Sequence, residues 1–103
     1  MSSHERRDRV RIYADILGNI YRIHSSGNRA TVTGIQTKVN VPFVRFKEYI
    51  EDLEKKGLLR KVETEITLTE KGIQYLREYR KVREFLEKFG MIGGNKTDAE
   101  ESF

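Results

Sequence analysis

The chain has 103 residues, of which 37% are apolar and 35% charged, with a formal net charge of +4 and no cysteine. That length suits one domain with a limited core, and the missing cysteines exclude disulfides, thiol catalysis and cysteine–zinc sites together. No apolar run approaches the ~18 residues of a membrane span, and the N-terminus leads into an amphipathic pattern rather than a signal peptide.

An intracellular, cytoplasmic protein is therefore expected, with the sequon Asn95-Lys96-Thr97 a chance match. Lys96 against Asp98, Glu100 and Glu101 leaves the first 92 residues with a net charge of +6. A basic excess of that size suits a polyanionic partner, or a surface that is simply solvated.

In chain order, the first element is a helix expected over 8–25, with Tyr13, Ile16, Leu17, Ile20 and Ile23 at helical spacing on one face. Arg6, Arg7, Arg9 and Arg11 crowd its start, where the helix dipole disfavours cations. A phosphate backbone would offset them, as would solvent or pairing with Glu5, Asp8 and Asp15. After the break at Ser25-Ser26-Gly27-Asn28, the β-prone stretch 29–32 suggests a third strand beside a later hairpin. Thr33 with Gln36 fits a capping box opening a short helix with Ile35 and Val39 facing inward. Asn40 closes it, since Asn tolerates the left-handed conformation.

Pro42 opens the next helix, which runs to about Lys56 with Phe43, Phe46, Ile50 and Leu53 on one buried stripe. Gly57 ends it. Residues 59–62 and 65–68 form two strands around Glu63-Thr64, neither a favoured turn former, so a slightly longer or looser tip is expected. Thr69 caps the last helix, with Glu70 in its first turn. Ile73 and Leu76 belong to the core side of that helix. Tyr75, Tyr79, Val82, Leu86 and Phe89 step by four, three, four and three, a heptad seam. Such a seam pairs with a second copy or packs on the first helix of the same chain; a dimer is expected, because a lone chain would expose it. Residues 93–103 form a polar, acidic tail expected to be disordered.

Helix, tight turn, helix, glycine stop, hairpin and capped helix, in that order, make a winged helix-turn-helix: mainly α with a small β-wing. The boundaries expected are 7–72 for the winged helix-turn-helix and 73–92 for a dimerisation helix. The pattern resembles the small archaeal winged-helix proteins of the chromatin and transcription-regulator type. The resemblance rests on Arg9 to Leu17, Asn40-Val41-Pro42-Phe43, Lys47-Glu48-Tyr49-Ile50, Gly57-Leu58-Leu59 and Leu68-Thr69-Glu70-Lys71-Gly72. It implies a homodimer joined by a C-terminal antiparallel coiled coil, and a DNA partner contacted by the second helix of the helix-turn-helix and by the wing. Pro42 stands where the family usually carries Ser, and Glu48, Glu51 and Asp52 make this recognition helix unusually acidic.

In such a fold the start of the recognition helix meets the major groove and the wing meets backbone or minor groove. Arg45 and Lys47 are the candidates there, Arg45 being the better base reader because its fork engages guanine O6 and N7 together. Gln36, Thr37, Lys38 and Asn40 suit phosphate positioning, and Arg60 and Lys61 on the wing suit phosphate grip. Lys55 and Lys56 equally suit the helix dipole, and Glu48 is expected to pair with a nearby cation. The two histidines, His4 and His24, form no metal cluster, and no phosphate-binding glycine motif is present. A non-enzyme without cofactor, metal or small-molecule ligand is expected: a homodimeric transcriptional regulator bound to double-stranded DNA. An architectural chromatin protein and a protein-binding winged-helix adaptor are the rivals.

Overall fold

The structure, a computed structural model, describes residues 2–91, with side chains from residue 9 onward. The acidic segment 93–103 expected to be disordered lies outside the described residues. The elements are α1 (Ser2–Ser25), α2 (Val32–Val39), α3 (Phe43–Lys55), β1 (Leu59–Val62), β2 (Glu65–Leu68) and α4 (Glu70–Lys88). Among the described residues, no helix is long and apolar enough to cross a membrane.

Helix α1 begins at Ser2, well before the expected Asp8. Arg9 and Arg11 therefore sit in its interior, beyond the first turn where the dipole acts on charge. The four arginines expected to crowd an unfavourable helix end lie instead past the first turn of α1. The apolar face is as expected: Tyr13, Ile16, Leu17 and Ile20 are buried. They meet Ala30, Ile35, Phe46, Tyr49, Ile50, Leu53, Leu59 and Ile66 in one core. Helix α4 lies across α1, adding Tyr75 and Leu76 to the rim of that core.

The stretch before α2 is shorter in β-structure than expected. Thr31 makes a single antiparallel bridge to Glu65. Ile66 donates its backbone N–H to the Ala30 carbonyl, and Val32 donates to Thr64, both at 2.9 Å. The strand stops there because Thr31, not Thr33, is the helix cap: its hydroxyl oxygen accepts from the Gly34 N–H at 3.1 Å. Capping at Thr31 turns the chain into α2 before a third strand can extend.

The hairpin is also tighter than expected. Val62 pairs with Glu65, leaving Glu63 and Thr64 as a two-residue turn. Glu63 adopts φ 57°, a left-handed conformation uncommon for a side-chain-bearing residue. At the other end of the wing the chain is closely joined. Thr69 accepts from the Gly72 N–H at 3.1 Å, as a cap should, and donates its hydroxyl to the Gly57 carbonyl at 2.6 Å. Gly72 presses so closely on Leu58 that a Cβ there would fall 2.1 Å from the Leu58 carbonyl oxygen.

Candidate nucleic-acid interface

The turn between α2 and α3 sets the direction of α3, and it is held from both sides. Asn40 takes φ 57°, ψ 50° and donates its N–H to the Gln36 carbonyl. That is the left-handed helix end expected of it. The Gln36 side chain reaches forward and donates from Nε2 to the Val41 carbonyl at 2.8 Å. One N–H of the amide expected on phosphate thus braces the turn. The Thr37 hydroxyl likewise donates within its own helix, to the Thr33 carbonyl at 3.0 Å. Lys38 and Asn40 are exposed beside the turn. Pro42 caps α3, its carbonyl accepting from the Phe46 N–H at 2.8 Å.

Helix α3 buries Phe46, Tyr49, Ile50 and Leu53. Tyr49 thus joins the stripe in place of Phe43, which is 56% exposed. Phe43 lies in the first turn, short of the core, and spacing alone does not show where a core ends. The opposite face presents Val44, Lys47, Glu48 and Glu51, spaced i, i+3, i+4 and i+7, all exposed. Lys47 is therefore on the outermost face. Arg45 is exposed on a flank shared with Tyr49 and Asp52, four and seven residues on. It is not beside Lys47, because residues two apart on a helix do not face each other.

That flank is fastened to α1. Tyr13 donates its hydroxyl to Asp52 Oδ2 at 2.5 Å, and the Tyr13 and Tyr49 rings meet edge to face at 5.5 Å. The Arg9 guanidinium lies 5.5 Å from the Tyr49 ring centroid, a cation–π distance. Lys56 adds an ion pair to Asp52 at 3.1 Å. The Tyr13 hydrogen bond, and then Lys56 and Arg9, hold the Asp52 carboxyl below the usual carboxylate range against some desolvation. Burial, and then the Asp52 contact, push the Tyr13 hydroxyl up. Asp52 is thereby engaged inside the fold, and the acidity facing solvent on α3 reduces to Glu48, Glu51 and Glu54. The ion pair expected for Glu48 is not formed among the described residues.

On the wing, Arg60 stands opposite Thr67 and Lys61 opposite Ile66, both cations exposed. Successive strand residues point to opposite faces, so the two cations flank the ribbon rather than line one side of it. Lys61 shares the side of buried Ile66 and Arg60 the outer side.

The heptad seam divides along α4. Tyr75 is half-buried on α1, its hydroxyl donating to the Val10 carbonyl at 2.9 Å. Burial, with Tyr79 adding a smaller effect, pushes that hydroxyl up to about 12. Tyr79 stacks on Tyr75 with ring centroids 6.4 Å apart, and Leu86 is half-buried. Val82 and Phe89 are 52% and 62% exposed, and between them Phe85 is 58% exposed, 5.0 Å from the Phe89 ring. Sequence spacing missed Phe85 because Leu86 completed a regular heptad; Val82, Phe85 and Phe89 also step by three and four. A groove between α1 and α4 is lined by Asp15, Arg22, Arg77 and Arg80 among others, and by none of the residues expected to touch DNA. Among the described residues there is no group of three His, Cys, Asp or Glu placed to hold a metal ion.

Two helices at a braced turn, a short hairpin and a capped helix packed back on the first give the family its shape, and the winged helix-turn-helix family pattern matches residues 6–87. This chain belongs to the winged helix-turn-helix family. Two solved structures are similar to it in fold. The AF1382 protein of Archaeoglobus fulgidus is 25% identical, with a TM-score of 0.61, over 73% of this chain and 87% of that one. MepR, a transcription regulator of the Staphylococcus aureus multidrug efflux pump MepA, is 18% identical, with a TM-score of 0.66, over 99% of this chain and 87% of that one. None of the curated proteins matches the chain. In this winged helix-turn-helix protein, α2 and α3 are the helix-turn-helix pair, and β1 and β2 are the wing.

Proposed function

We propose that this protein binds double-stranded DNA as a homodimeric transcriptional regulator. The observation that carries the reading is α3 itself: its inner face is buried on four core residues, while its outer face stands free in solvent beside exposed Lys38, Lys47 and Arg45. A helix held this way at a braced turn is built to enter a major groove. In this reading Lys47 faces the groove and Arg45, one turn before the Tyr49 ring that Arg9 covers, meets the phosphate rail. Lys38, with the Asn40 side chain, positions the backbone at the turn, whereas Gln36 and Thr37 act from within the fold. Arg60 grips phosphate from the outer side of the wing and Lys61 from the other. The known role of MepR as a transcription regulator supports the same class of function for this fold.

The dimer would form through the outer half of α4 and the turn that follows it, where Val82, Phe85, Phe89 and Met91 are all more than half exposed. Pairing with a second copy removes these side chains from water, while Tyr75 and Tyr79 anchor the helix to α1. Two copies would place two α3 helices on one duplex, at half-sites one or more turns apart. Fluorescence anisotropy with a random-sequence duplex at two salt concentrations tests the DNA reading, and light scattering tests the dimer. Binding that weakens steeply with salt is expected. Absence of binding at low salt would instead favour a protein-docking role.

A further inference from the structure

Phe43 and Val44 are the apolar side chains of α3 that the fold leaves in water, 56% and 71% exposed. Both precede Lys47 by one helical turn, by four and three residues, so the three side chains adjoin at the exposed start of the helix, Val44 on its outer face and Phe43 at the edge of that face. Their surroundings say what could cover them. Arg45 and Lys47 are exposed on the same helix and Lys38 just before the turn, so the complementary surface is anionic with apolar points upon it. Glu48 and Glu51 share the outer face and have no ion-pair partner among the described residues. Carboxylates would be repelled along a phosphate rail, but over base edges they meet amino donors, such as cytosine N4. This face therefore fits the floor of a major groove, where the apolar points are the C5 methyl groups of thymine.

We propose that Phe43 and Val44 read thymine methyl groups, giving the protein a preference for thymine at the base pairs facing the start of α3. The proposal rests on the DNA-binding reading above and adds the chemistry by which that surface selects sequence. Each methyl enclosed by the pair is expected to raise affinity about fourfold.

The test compares the full chain on two alternating duplexes, one of adenine and thymine and one of adenine and deoxyuridine, which differ only in that methyl. The wild type is expected to bind the thymine duplex at least fourfold more tightly. A Phe43→Ser/Val44→Ser double variant is expected to bind both duplexes alike, while keeping its circular dichroism spectrum and the salt dependence of binding. Equal binding of both duplexes by the wild type overturns the proposal and leaves the DNA reading standing. A thymine preference that survives in the double variant also overturns it, since duplex shape rather than these side chains would then be responsible. Failure to bind either duplex at low salt defeats the DNA reading itself, and the proposal with it.

Discussion

The two halves of α4 are held in different ways. Its first half is built into the body: Thr69 ties it to Gly57, Gly72 lies against Leu58, and Tyr75 donates to the Val10 carbonyl. Its second half carries Val82, Phe85 and Phe89 into solvent, with ion pairs within the helix, such as Arg83 to Glu87 at 2.9 Å. Isolated pairs of that kind add only about 0.3–0.5 kcal/mol each. The body holds itself together through side chains distant in sequence, whereas the outer half of α4 turns its largest apolar side chains to solvent and, in our proposal, to a second copy. Stability and assembly should therefore be separable by substitution.

The largest effect is expected in the body. Phe46→Ala should cost about 3–5 kcal/mol, because it empties a site that is fully buried in the core. Urea denaturation measures this, and a loss below 1 kcal/mol would mean that the core closes over the gap. Gly72→Ala should cost about 3 kcal/mol, since the Leu58 carbonyl leaves no room for a methyl group and must move. A variant as stable as wild type would show that the joint between wing and α4 is looser than its geometry.

Phe85→Ser should leave the unfolding of the monomer nearly unchanged but weaken association by about 1.5–3 kcal/mol, roughly the value of one buried aromatic side chain. Sedimentation over a concentration series reads this directly. An unchanged association constant would move the dimer face elsewhere, with Tyr79 and Leu86 the alternative register.

The smallest effect is the most diagnostic. Tyr13→Phe should cost about 1 kcal/mol at neutral pH by removing the hydrogen bond to Asp52. The carboxyl of Asp52 is held lower in the folded chain than in the unfolded one. The stabilisation is therefore complete above the ordinary carboxylate range and fades as pH falls through the depressed value. Wild type and Tyr13→Phe should accordingly converge in stability on acidification, as followed by thermal melts from pH 7 to pH 2. A gap that stays constant across that range would show the contact to be independent of the carboxylate charge.

How much of this was legible in the sequence follows from the range over which each interaction acts. Helix periods, the Asn40 and Thr69 caps and the Gly57 stop are local, and each lies where the pattern puts it. The cap expected at Thr33 lies instead at Thr31, a residue that also bridges to Glu65 across the fold, a contact no local pattern shows. The exposure of Phe43 depends on where the core ends rather than on its own spacing. The Tyr13–Asp52 bond joins residues 39 apart in the chain, so no local pattern announces it. In the candidate interface, the cationic residues are visible from composition, but their distribution is not. Gln36 is diverted to the turn, Arg45 to a flank, and Arg60 and Lys61 to opposite sides of a ribbon.

The close of the wing has a mechanical consequence. Thr69 grips the Gly57 carbonyl, and the Lys71 ammonium donates to the Lys56 carbonyl at 3.1 Å, so the end of α3 and the start of α4 are fastened across the base of the hairpin. The two helices form a bent lever rather than two rods on a hinge. In the proposed dimer, torque applied at the far end of α4 would then pass to α3 through that elbow, and the elbow rather than a flexible linker would set the distance between the two α3 helices.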